Sequence, residues 1–278
     1  MSADAAGRQR SELSQRIIWG GIMAAIALAA VWLGDLPFAG MLAAGGALAS
    51  WEWGRIVRGY DFDRYFLAHA AAVAVAVFET AAGYPQTAVT VLALVSILLF
   101  ALRGGAGDPL SGLGVLVIGL AVVSLALLRA DAPLGLRAVL FVFAVVWMTD
   151  IGGYVFGRSI GGPRLWPSIS PGKTWAGAIG GLVFAAVTGA FLAGWLAKQD
   201  ASSVVLVAVM LGLAAEYGDL AESALKRRFG RKDASALIPG HGGLLDRVDG
   251  LMAAAIVAAL FAMLRDPAHP AAGLLLWP

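Results

Sequence analysis

The chain has 278 residues, of which 60% are hydrophobic and only 14% charged, against roughly 25% charged in an ordinary soluble domain. A water-soluble fold of this size could not conceal so much apolar surface, and the composition equally excludes a disordered chain and a collagen-like fibre. A net charge of +2 gives no footprint for nucleic acid, and the lack of cysteine removes disulfides, thiolate metal sites, iron–sulfur clusters and a Cys nucleophile. What remains is an all-α, polytopic integral membrane protein.

A bilayer core needs roughly 20 apolar residues in a helix. In chain order the apolar stretches predict nine spans: Ile17–Leu33, Leu36–Trp53, Phe66–Ala82, Thr87–Leu102, Gly112–Leu128, Leu134–Phe156, Thr174–Ala197, Val204–Leu220 and Leu251–Leu264. The second is interrupted by Pro37 and several glycines, and the last is short. The tail after Ala268 ends in an apolar run suited to the interface. With the N-terminus in the cytoplasm, sixteen of the twenty Lys and Arg fall on the cytoplasmic side. Arg129, Arg137, Lys198 and Arg265 fall opposite. That bias follows the positive-inside rule and predicts an N-terminus inside and a C-terminus outside. Met1–Arg16 is polar and basic, with no convincing cleavage site after the first span, so that span reads as an anchor.

Up to about residue 145 the spans are nearly all apolar, which predicts a lipid-facing scaffold over residues 1–145. Small-residue clusters, Ala43-Ala-Gly45-Gly46 and Gly177-Ala-Ile-Gly180-Gly181, predict close helix packing. His69, with no polar neighbour in sequence, reads as a satisfied core residue, and Glu79 as an interfacial one. From residue 146 to 278, acids, bases and glycines gather on the predicted cytoplasmic face, in three segments.

The first is Thr149-Asp150-Ile-Gly152-Gly153-Tyr154-Val-Phe-Gly157-Arg158. Asp150 falls inside a span, where an acid costs roughly 2.5–3.5 kcal/mol unless a partner or water compensates. It is either a helix-packing acid paired with an Arg or part of a polar site at membrane depth. The second, Gly161 to Thr174, contains Gly172-Lys173-Thr174. The P-loop pattern fails here, because Pro167 stands where it needs glycine and no strand is expected before it. Lys173 still enters a helix N-terminus, where phosphate is favoured, or serves only to set orientation.

The third segment, Glu216 to Gly250, is the densest. Its helix is expected to reach about Phe229 and stop at Gly230. Glu216, Asp219, Ser223 and Lys226/Arg227 share one face at spacings of three or four. An acidic end in the membrane thus leads to a basic end at the surface. That arrangement can hold a divalent cation with polyphosphate oxygens above it, as Mg²⁺ prefers. Pro239-Gly-His241-Gly-Gly is a turn that backbone can bring close to a ligand. Asp246 and Asp249 stand at the mouth of the ninth span and can join Asp219 around one metal if the eighth and ninth spans are neighbours. Helix capping would explain only one of the two acids. A positive-inside or anionic-lipid role for the basic cluster leaves the interleaved acids, His241 and the glycines unexplained.

Ser223-x-Leu225-Lys226-Arg227-x4-Lys232-Asp233-x-Ser235-x2-Ile238-Pro239-x-His241-Gly242-Gly243-Leu244-x-Asp246-Arg247-Val248-Asp249 resembles the signature of the phosphatidate cytidylyltransferase family. Asp150-x-Gly-Gly-Tyr-x-x-Gly-Arg158, Ser170-Pro171-x-Lys173-Thr174-Trp175 and Gly218-Asp219-Leu220 resemble that family's other polar stretches. The resemblance is specific over Asp150–Asp249. One position departs from it: Gly250 stands where a serine is expected. The resemblance implies a membrane enzyme that joins CTP and phosphatidate into CDP-diacylglycerol and pyrophosphate for phospholipid biosynthesis. It implies Mg²⁺, room for a second, monovalent cation such as K⁺, a homodimer, and a site on the cytoplasmic face of a bacterial inner membrane. Asp219, Asp246 and Asp249 are then the metal ligands. Lys226, Arg227 and Arg247 join them as catalytic residues. Asp150, Lys173, Ser223, Lys232 and His241 are the substrate-binding set. A CTP-dependent polyprenol-type kinase is the alternative enzyme. A transporter or scaffold is the non-enzymatic one, disfavoured because the polar residues cluster on one side of the last four spans.

Overall fold

The computed structural model describes residues 3–102, 109–195, 201–238 and 242–277. Among them the elements are α1 (Ala3–Leu33), α2 (Asp35–Arg58), α3 (Arg64–Ala81), α4 (Pro85–Ala101), α5 (Leu110–Ala130) and α6 (Gly135–Ser159). A hairpin of β1 (Arg164–Trp166) and β2 (Ser170–Thr174) follows, then α7 (Trp175–Ala193), α8 (Ala201–Arg228), α9 (Leu245–Arg265) and α10 (Pro270–Leu275). The protein is a mainly helical integral membrane protein. Each expected span falls on its own helix, α1 to α9. Five of these, α5 to α9, are long and apolar enough to cross a bilayer. Ile18–Leu33 and α4 are shorter apolar helices.

The hairpin is a departure from an all-α reading. Gly161 and Gly162 take positive φ values of 66° and 90°, which turn the chain away from α6. Pro163, Pro167 and Pro171 then deny the segment a helix. Arg164 pairs with Thr174 and Trp166 with Ser170, antiparallel. Lys173 therefore lies on a strand, where a loop was expected. The next residue, Thr174, caps α7 by accepting from the Gly177 N–H at 3.0 Å. Helix α8 ends at Arg228, and Gly230 turns the chain with φ 66°, as its sequence predicts.

Two glycine-lined crossings set the spacing of the last four helices. Between α6 and α7, a Cβ on Gly152 would stand 2.6 Å from the Gly180 carbonyl oxygen, and one on Gly177 would stand 2.9 Å from that of Gly153. Between α8 and α9, a Cβ on Gly218 would stand 2.6 Å from the Asp249 carbonyl oxygen. Gly250 meets Ala215 in the same way, at 3.1 Å, so the missing serine side chain has little room there. Small residues let backbones touch where lipid gives no hydrophobic drive for association. Because Gly218 precedes Asp219 and Gly250 follows Asp249, the crossing that joins α8 to α9 also brings two acids together.

The first helices form the apolar core on which α9 rests, with α2, α3 and α5 packed together and α5 against α9. Gly46 admits the Val73 side chain, as the small-residue cluster predicts. At the end of this bundle Asp63 caps α3 through the Phe66 N–H (2.7 Å) and accepts from Arg58 at 2.8 and 2.9 Å. Burial works to raise the Asp63 carboxyl, but Arg58 and the Phe66 amide outweigh it and hold it below the usual carboxylate range. His69 is buried in the core, as expected, with the Gly114 backbone beside its ring. The tail forms α10, fixed by Ala271 N–H donating to Asp131 (2.6 Å) and by Arg265 donating to the Gly273 carbonyl (2.6 Å).

Gly218→Val is expected to force α8 from α9 and to cost about 1–3 kcal/mol of stability, as overpacking does. Thermal unfolding in detergent would show a lowered midpoint, and an unchanged midpoint would contradict the crossing.

Candidate active site

A cavity of about 440 Å³ opens between α6, α8 and α9 beneath the hairpin, within the ~300–1,000 Å³ range of small-molecule sites. A groove of similar size, about 450 Å³, lies between α1, α6 and α7, but Leu28, Leu140, Phe143, Trp147, Phe191 and Trp195 line it and it offers no titratable group. Of these two, only the first carries titratable side chains.

Helix α6 contributes Asp150, α8 contributes Glu216 and Asp219, and α9 contributes Asp246, Arg247 and Asp249. The hairpin contributes Lys173. Helical spacing explains the set: Glu216 and Asp219 are one turn apart, as are Asp246 and Asp249, so each pair looks in one direction. Lys173 Nζ lies 2.9 Å from Asp219 Oδ2 and donates to the Glu216 carbonyl oxygen at 3.4 Å, which pins the hairpin over α8. Ser223 Oγ donates to Asp219 Oδ1 at 3.4 Å. Asp249 accepts from its neighbour's Gly250 N–H at 2.7 Å and lies within electrostatic reach of Asp219, Glu222 and Asp150. Asp150 is open to the cavity although protein surrounds most of it, and it lies within electrostatic reach of Lys173 and Arg247. Five acids thus face two cations across one small space.

Behind the cavity wall sits a buried triad. Lys226 Nζ lies 2.5 Å from Glu222 Oε2 and 2.5 Å from Asp246 Oδ1. Asp246 also accepts from Ala234 N–H (3.0 Å) and Gly243 N–H (2.8 Å). It is therefore the most heavily engaged of the three expected metal ligands, since among the described residues Asp219 meets only Lys173 and Ser223, and Asp249 the Gly250 amide. Arg227 is exposed and donates to the carbonyls of Ile169 (3.3 Å) and Arg231 (3.0 Å), joining the hairpin to the turn after α8.

Of the residues the sequence singles out, the structure brings Asp150, Lys173, Asp219, Asp246, Arg247 and Asp249 onto one cavity. Ser223 stands beside Asp219, and Lys226 stands behind Asp246. Arg227 and Lys232 are on the exterior and do not line it. His241 lies outside the described residues. Tyr154 and Glu216 also line the cavity. Both were legible, Tyr154 as one turn beyond Asp150 and Glu216 as one turn before Asp219. Glu52 was not: it is buried on α2 and accepts from the loop before α9, and no local pattern announces a contact 183 residues away.

Buried charge thus gathers in one polar cavity bounded by the helices of a membrane protein. Residues 14–264 match the family model described as the cytidylyltransferase family, and the chain belongs to that family. It is 39% identical over 266 residues to a phosphatidate cytidylyltransferase of Brucella suis biovar 1 (strain 1330), covering 94% of this chain and 98% of the relative. It is 39% identical over 254 residues to one of Brucella abortus biovar 1 (strain 9-941), covering 90% and 93%. Another, from Staphylococcus haemolyticus (strain JCSC1435), is 40% identical over 141 residues, half of this chain and 53% of the relative.

Lys226→Met strands Glu222 and Asp246 without their cation. The expected cost is about 3–5 kcal/mol, the usual penalty for breaking a buried pair from one side. Adding Glu222→Gln should recover part of it. Denaturant midpoints in detergent measure both, and an undisturbed Lys226→Met protein would contradict the triad.

Proposed function

We propose that the cavity transfers the cytidylyl group of CTP to phosphatidate, giving CDP-diacylglycerol and pyrophosphate. The observation that carries this is the meeting of Asp150, Asp219 and Asp249 with Lys173 and Arg247 in one cavity, in a chain whose near full-length relatives carry that name. A phosphatidate oxygen forms the new bond to the α-phosphorus of CTP as the bond to the β-phosphate oxygen breaks. The leaving electron pair stays on pyrophosphate. The nucleophile is already an anion, so no Ser, Cys or His nucleophile is required. The protein's task is to align two anions and balance their charge.

Among the described residues, no three of His, Cys, Asp or Glu converge as a cage for a metal. That donor set fits Mg²⁺, which takes one or two carboxylates and completes its shell with water and substrate phosphates. Asp219 and Asp249 would hold it, and Asp246 would join only by exchanging Lys226 for the cation. When bound, Mg²⁺ neutralises polyphosphate oxygens. Lys173 and Arg247 would contact the triphosphate and the departing pyrophosphate. Asp150 would order water or the cation near the lipid phosphate. Lys226 holds Asp246, Arg227 holds the hairpin, and Ser223 orients Asp219. Lys232 and His241 keep the substrate-binding roles that the resemblance implies.

The distribution of Lys and Arg supports nine spans with the N-terminus in the cytoplasm and the site on the cytoplasmic face of a bacterial inner membrane. CTP then arrives from water and phosphatidate from the lipid. Residues 1–145 form the scaffold and 146–278 carry the site. The homodimer and a second cation such as K⁺ rest on the resemblance over Asp150–Asp249.

Purified protein given CTP, Mg²⁺ and phosphatidate is expected to release pyrophosphate together with CDP-lipid, and EDTA should abolish both. Asp219→Asn should lower turnover by about 100-fold or more, a loss typical of removing one transition-state contact, while the protein stays folded. Turnover near the wild-type rate in that variant would contradict the assignment.

A further inference from the structure

Glu52 stands apart from the site in sequence and joins it in space. It lies on α2 and is fully buried. Its Oε1 accepts from Ser235 Oγ at 2.5 Å and from Leu244 N–H at 2.9 Å. Its Oε2 accepts from Leu245 N–H at 2.6 Å. Leu244 and Leu245 open α9, and Leu244, at the N-cap position, has no side chain able to cap it. From another helix, Glu52 supplies the acceptor for two of the N–H groups that a helix start leaves without an intrahelical partner. A carboxylate there also meets the positive end of the α9 dipole.

The neighbouring residues are fitted to this contact. A Cβ on Gly243 would stand 2.5 Å from Glu52 Oε1, so the carboxylate leaves no room for a side chain there. Trp53, next to Glu52, is buried and donates from Nε1 to the Leu110 carbonyl at 2.8 Å, which fixes α2 against α5. The residues following Leu245 are Asp246 and Arg247, with Asp249 two places on. Glu52 thus holds both ends of a short lever: the loop through Ser235, and the first turn of the helix that carries three cavity residues.

We propose that Glu52 is a positioning residue for cytidylyl transfer. It fixes Ser235 and the start of α9, and through them the placement of Asp246, Arg247 and Asp249. It touches no substrate. A carboxylate is required because all three partners are donors. In Glu52→Gln an amide N–H₂ must face at least one of those donors, whichever way the amide turns.

The proposal rests on the transfer reaction for its kinetic readout, and a second readout is independent of it. In Glu52→Gln, kcat is expected to fall about 10–100-fold, as for a small misplacement of reacting groups, with a smaller change in KM for CTP. Tryptic cleavage after Arg231 and Lys232 is expected to quicken in the same protein, and Glu52→Asp should lie between it and the wild type. Ser50→Ala removes a buried hydroxyl on the same helix that bonds only the Gly46 carbonyl, and both readouts should stay at wild-type values. A folded Glu52→Gln protein with kcat within twofold of wild type, or with unchanged cleavage, overturns the proposal. So does an equal loss in Ser50→Ala, which would mean general loosening of α2. If Glu52→Gln does not fold, Ser235→Ala removes one of the same donors from the loop side. Its cleavage should quicken, and unchanged cleavage overturns the proposal. Failure of the transfer reaction itself would appear as an inactive wild type, with the cleavage comparison still decisive for Glu52.

Discussion

Ionised groups placed among apolar helices are costly, roughly 2.5–3.5 kcal/mol each for an acid at mid-helix, unless something nearby answers their charge or their lone pairs. The C-terminal half of this protein is arranged around that constraint. Lys226 answers Glu222 and Asp246, Lys173 answers Asp219, and backbone amides answer Asp246 and Glu52. What is left is an excess of carboxylate on one cavity, with Asp150, Glu216 and Asp249 beside Asp219. An unanswered excess of this kind favours a cation, and a cation brings phosphate. The site's chemistry is in this sense the residue of an electrostatic balance that the rest of the fold completes.

Geometry follows from a second, simpler constraint, the volume of a hydrogen atom. Gly152, Gly177, Gly218 and Gly250 let α6 meet α7 and α8 meet α9 at backbone distance. Acids adjacent to those glycines have no freedom to drift apart. Helices that cross at glycine are held by shape, so the carboxylates stay close despite their mutual repulsion. The hairpin closes the arrangement from outside, tied down by Lys173 to α8 and by Arg227 to the Ile169 carbonyl.

Much of this was legible in the sequence, because it depends on spacing within single helices. Runs of apolar residues place nine helices, and spacings of three and four put Glu216, Asp219 and Ser223 on one face. The approach of Asp246 and Asp249 on α9 to that face follows directly, since α8 and α9 are consecutive. What escaped depends on contacts between distant segments or on backbone detail. Three prolines exclude a helix from 163–171, but the pairing of Arg164 with Thr174 and Trp166 with Ser170 made strands where a loop was expected. Asp246 proved to be engaged with Lys226 and two loop amides, which no spacing rule announces. Glu52 drew no reading from its sequence, and its partners lie 183 to 193 residues away.

The central claim is that nucleotide enters the cavity between α6, α8 and α9 from the aqueous phase of the cytoplasm. The chain has no cysteine, so a single one introduced there reports without background. Gly153 lines the cavity, and a Cβ at that position meets nothing nearer than 3.7 Å, so Gly153→Cys fits. In inside-out membrane vesicles, a membrane-impermeant thiol reagent should modify this cysteine, and CTP with Mg²⁺ should protect it. Modification only from the opposite face, or at the same rate with and without CTP, would contradict the account.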